Sequence, residues 1–77
     1  MKEQRVQQWI KNFDEEIKSV ETEFRAFFLK KPLKEYYKIN IHNDIGYISI
    51  EILNRKDLPM EIIDSITVAF LRAKPRY

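Results

Sequence analysis

His42 is the chain's one imidazole, and an imidazole titrating near neutrality is the side chain most often used as a general base. Base catalysis also needs a nucleophile or substrate proton within reach and a third group to orient the ring. Neither is encoded nearby, since the sequence has no Cys and no patterned Ser around His42. The acids Asp14, Glu15, Glu16, Glu21 and Glu23 lie mostly on the polar side of an amphipathic segment, which reads as a solvated face and not as a catalytic carboxylate pair. With no Cys and one His, every Cys/His zinc pattern is excluded, and a single Gly rules out a glycine-rich phosphate loop. The expectation is a non-enzymatic protein with no catalytic residue, no metal site and no cofactor.

Binding chemistry has more to work with. The stretch FFLKKPLKEYYK interleaves Lys30, Lys31, Lys34 and Lys38 with Tyr36 and Tyr37, and the C-terminus adds Arg72, Lys74 and Arg76. Cations that pair with phosphates beside rings that stack on bases are the materials of a single-strand nucleic-acid surface. Charge is also unevenly distributed. Residues 1–23 carry net −2 and residues 24–77 net +4, within an overall +2. That is modest for a dedicated nucleic-acid binder, and Lys or Arg near helix ends also complements the helix dipole. Nucleic-acid binding through these residues is therefore the alternative reading, behind protein–protein contact.

The elements that must position these groups follow from periodicity. A chain of 77 residues is one domain, 1–77, near the size where a single core leaves stability marginal. Its 44% hydrophobic and 34% charged residues suit a folded protein. No signal-like apolar run opens the sequence and no window approaches a membrane span, so a cytoplasmic location without membrane contact is expected. The abundance of Ile, Lys, Asn and Glu is that of an AT-rich coding sequence, as in a low-GC bacterium or its phage. Over residues 3–30, Val6, Trp9, Ile10, Phe13, Ile17, Val20, Phe24, Phe27 and Phe28 recur at helical spacing within an arc of about 100°. Pro32 is expected to stop that helix.

Residues 36–53, YYKINIHNDIGYISIEIL, read as a β-hairpin. A four-residue loop, Asn43-Asp44-Ile45-Gly46, sets Ile41 opposite Ile48, Ile39 opposite Ile50 and Tyr37 opposite Ile52 on one face. Lys38, Asn40 and His42 then meet Glu51, Ser49 and Tyr47 on the other. A slip of one residue would set Ile39 against Glu51, so the register is well specified, and Gly46 is expected to take a positive φ. The second helix is expected to be capped by Asp57 or Leu58, to carry Pro59 in its first turn, and to end at Pro75. Ile62, Ile63, Ile66, Ala69, Phe70 and Ala73 form its apolar face. The resulting order, helix-strand-strand-helix, resembles that of double-stranded-RNA-binding domains, but those have a third strand absent here, and no residue role is carried over.

The predicted fold is α+β, a two-layer α-β-β-α arrangement with both helices on one face of the hairpin. Its lengths do not match. A first helix of about 28 residues would reach ~42 Å over strands spanning ~23 Å. Val6, Trp9, Ile10 and Phe13 would then overhang with nothing in the same chain to cover them, an exposed stripe that marks an interface. This predicts a two-fold homodimer in which each overhanging helix packs on the partner and the hairpins join edge to edge into four strands, the alternative being a first helix that folds back at Asn12-Phe13-Asp14 to cover its own chain. The strand Ile48–Leu53, lacking Lys and Pro, is the expected open edge. The functional expectation is a small homodimeric regulator or inhibitor acting by protein–protein contacts.

Overall fold

The computed structural model describes residues 2–42 and 44–75, with side chains from Gln4 onward. In order, the chain forms α1 (Lys2–Glu23), β1 (Tyr37–His42), β2 (Tyr47–Ile52) and α2 (Met60–Ala73), with single 3₁₀ turns at Leu33–Tyr36 and Arg55–Asp57. Both helices pack on one face of the antiparallel hairpin, the α+β arrangement expected. The register is also as expected: Tyr37↔Ile52, Ile39↔Ile50 and Ile41↔Ile48 point inward, while Lys38↔Glu51, Asn40↔Ser49 and His42↔Tyr47 alternate with them. Gly46 closes the turn at φ 65°, a left-handed conformation that costs a residue without Cβ least. Asn43, the first residue of the expected loop, lies outside the described residues.

The first helix is shorter than its apolar periodicity suggests. It runs for 22 residues and ends at Glu23, not near Lys30. Its last turn carries no basic residue but holds Glu21 and Glu23, an unfavourable charge for the negative end of a helix dipole. The Glu21 carboxylate is recruited elsewhere, accepting the Leu33 N–H at 3.0 Å. Beyond Glu23 the chain tightens into turns, with the Phe27 N–H donating to the Phe24 carbonyl at 2.9 Å and the Phe28 N–H to the Arg25 carbonyl at 3.1 Å. These turns place Phe28 in the core and leave its neighbour Phe27 at the surface.

The second helix begins one or two residues later than expected. Pro59 is its N-cap, neither Asp57 nor Leu58, and the Pro59 carbonyl accepts the Ile62 and Ile63 N–H groups at 3.0 and 3.2 Å. A proline fits there because the N-cap needs extended dihedrals and no N–H of its own. The six apolar residues expected to line α2 are all buried.

The layers are offset. Asn12, Glu16 and Val20 of α1 face α2: the Asn12 side-chain amide donates to the Ala73 carbonyl at 3.0 Å, and Glu16 and Val20 share a groove with Ser65, Ala69 and Arg72. Asp14, Ile17, Lys18 and Glu21 face the other way, sharing a cleft with Leu33 and Tyr37. On a helical wheel the two sets are about 150° apart. Thus Tyr37 at the start of β1 lies along one flank of α1 and α2 along the other, and of the two strands β2 comes closer to α1. Ile48 on β2 is accordingly 0% exposed, and Ile41, directly opposite on β1, is 52% exposed.

Candidate interaction surface

The stripe expected to form an interface is the chain's own core. Val6, Trp9 and Phe13 are buried, and Ile10 is partly buried against the same cluster. The expectation failed because it assumed that α2 covers only the half of α1 nearer the hairpin. With α1 ending at Glu23 and α2 antiparallel beside it, the C-terminal half of α2 reaches Trp9. The Trp9 ring lies 5.1 Å from Phe70 and meets Tyr47 edge-on at 5.3 Å, while Phe13 packs edge-on against Tyr37 at 5.2 Å and Phe70 at 5.6 Å. The indole N–H donates to the Phe70 carbonyl at 3.2 Å. Together with the Asn12 bond to Ala73, itself steadied by Gln8 donating to the Asn12 side-chain oxygen at 2.7 Å, this satisfies carbonyls that the last turn of α2 would leave orphaned. The length mismatch thus gives no support to a dimer through Val6, Trp9, Ile10 and Phe13.

The basic residues fall into two separate groups. Lys30, Lys34 and Lys38 are exposed near the C-terminal end of α1, and Lys31 is half-buried with its ammonium 4.9 Å from the Tyr36 ring centroid. Arg72 and Lys74 are exposed at the far end of the helix pair, Lys74 with its ammonium 5.9 Å from the Trp9 ring. Between positions 9 and 21 of α1 the axis rises about 18 Å, so these groups form no continuous patch. Arg76 lies outside the described residues. Tyr36 offers no open stacking face, because it is buried against Phe27 and Phe28 with ring centroids at 6.0 and 5.8 Å. Tyr37 is half-buried, and its pKa is raised by burial first and then by the charges of Asp14 and Glu21. Aromatics interleaved with lysines in the sequence here serve the core.

His42 sits on the solvent face, its Nε2 3.3 Å from the Ser49 Oγ and its ring 6.3 Å from that of Tyr47. Ser49 is a diagonal neighbour in the register, which the sequence could have disclosed. Among the described residues no third group orients the imidazole, and the pair lies on an open sheet surface with no enclosing walls. Groups of acids and imidazoles suited to a metal ion are absent among the described residues. No described helix is long and apolar enough to cross a membrane.

What the helices leave open is the hairpin margin. Ile41, Ile45 and Tyr47, at its turn end, are 52%, 63% and 41% exposed. Neither strand pairs with anything but the other among the described residues, so each has an outer edge. The edges are not equivalent. Sequence alone points to β2 as the less protected one, whereas apolar exposure is greater on β1, where Ile41 is 52% exposed against 0% for Ile48 opposite it. Comparison with protein-family models, curated proteins and solved structures finds no match to this chain.

Proposed function

We propose that this chain is a non-enzymatic interaction module, a small regulator or inhibitor that acts by seating another protein chain against its hairpin. The supporting observation is the unequal cover of the sheet. The helices enclose Ile48 completely and leave Ile41 and Ile45 in water beside an unpaired strand edge. Apolar side chains next to unused backbone donors and acceptors are what strand-addition partners bind. Capture by the immobilised chain tests this reading, with an Ile41→Asp/Ile45→Asp variant as the comparison. A protein held by the unmodified chain and released by the variant supports it. Retention of DNA or RNA that weakens steeply from about 50 to 200 mM salt, and further on changing Lys30, Lys31 and Lys34 to Ala, would replace it with nucleic-acid binding.

A further inference from the structure

We infer that the outer edge of β1 pairs antiparallel with β1 of a second copy of this chain, about a two-fold axis at Ile39, giving a four-stranded sheet in the order β2-β1-β1-β2. This rests on the protein-contact reading above and names the partner. The first support is the direction of the backbone groups. The Leu53 N–H donates to the Tyr36 carbonyl at 2.7 Å, one step beyond the Tyr37↔Ile52 pair. Opposite residues in an antiparallel ladder alternate between exchanging both bonds and exchanging none. Lys38, Asn40 and His42 therefore bond across the hairpin, whereas Tyr37, Ile39 and Ile41 turn their N–H and C=O groups outward.

Exposure favours the β1 edge over the β2 edge. Ile41 on β1 is 52% exposed and Ile48, opposite it on β2, is wholly buried. Pairing at β1 therefore gains apolar cover that pairing at β2 would not.

Register follows from self-complementarity. Centring on Ile39 matches every outward residue with another: Ile39 meets its own copy, and Tyr37 meets the partner's Ile41. On the solvent face Lys38 then opposes the partner's Asn40. Centring on Lys38 would oppose two like charges, and centring on Asn40 would leave Tyr37 unmatched. The Ile39 register also gives exposed Ile41 a destination, against Tyr37 at the cleft that Tyr37 lines with Ile17 and Leu33.

The test combines mass with cross-linking. Sedimentation at tens of micromolar is expected to give twice the 9.4 kDa chain mass. The protein has no cysteine of its own, so Lys38→Cys and Asn40→Cys proteins, both changed at solvent-facing positions, can be mixed and oxidised. Opposite residues of a non-bonded pair stand ~4.5 Å apart at Cα, within disulfide range, so the mixture should yield covalent dimer and each protein alone much less. Ile39→Pro removes an outward N–H without breaking the hairpin ladder and should weaken the dimer at least about tenfold. The Cys pair keeps the test valid if that variant does not fold. A monomer, or a dimer cross-linked by Ser49→Cys with Glu51→Cys instead, overturns the inference. A monomer that still holds another protein through Ile41 and Ile45 refutes only the second copy, and one that holds nothing through them refutes the protein-contact reading as well.

Discussion

Ile41 and Ile48 are the same residue type, directly opposite in one register and pointing to the same side of the same sheet, yet one is half in water and the other wholly enclosed. Pairing sets which face a side chain occupies. Burial within that face is set by where the helices lie, and here the core encloses Ile48 and not Ile41. The pair therefore separates two effects that a hydrophobic pattern merges, namely inward direction and actual cover.

The largest test of this asymmetry substitutes a charge at each member. Ile48→Asp buries an unpaired carboxylate and should cost on the order of 4 kcal/mol, enough to abolish the cooperative urea transition of so small a domain. Ile41→Asp, in monomer at low concentration, should stay within about 0.5 kcal/mol of the unmodified chain. Equal losses would mean that the helices cover both strands alike. Trp9→Ala probes the covered side from the helix layer and should lower stability by about 3–5 kcal/mol, read as a shifted urea midpoint. A smaller step is Asn12→Ala, which removes a partner of the Ala73 carbonyl and should cost ~1 kcal/mol. The finest test concerns the β1 flank, where Tyr37 has a raised pKa from burial and from Asp14 and Glu21. Its stabilising contribution is present below the unfolded value near 10 and is lost as pH rises through the higher folded value, because the unfolded chain ionises first. Unfolding midpoints at alkaline pH should therefore fall more steeply for the unmodified chain than for Tyr37→Phe, and identical profiles would remove Tyr37 from the covered set.

Much of this architecture is legible in residue order. The hairpin register and the positive φ of Gly46 follow from side-chain pairing alone, and the buried face of α2 follows from its spacing, because each depends on neighbours a few positions apart. The end of α1 is less legible, since Phe24, Phe27 and Phe28 continue a helical stripe that the backbone abandons for a contact between Glu21 and Leu33. The surface is the least legible part. Trp9 and Phe13 read as exposed only if the path of α2 is unknown, and Tyr36 reads as a base-stacking ring only until Phe27 and Phe28 close over it.

The bonds that Trp9 and Asn12 donate to Phe70 and Ala73 join positions 61 residues apart. During synthesis at 5–20 residues per second, that separation is about 3–12 s in which α1 has left the ribosome and its roof has not. Local contacts in the hairpin and its turns can form in the interval, but the apolar stripe of α1 cannot be enclosed, and contacts this distant in sequence are slow to close. A nascent chain stalled before residue 70 would display Trp9 and Phe13 to any chaperone within reach, so the domain's vulnerable period is set by translation rather than by the folding step that ends it.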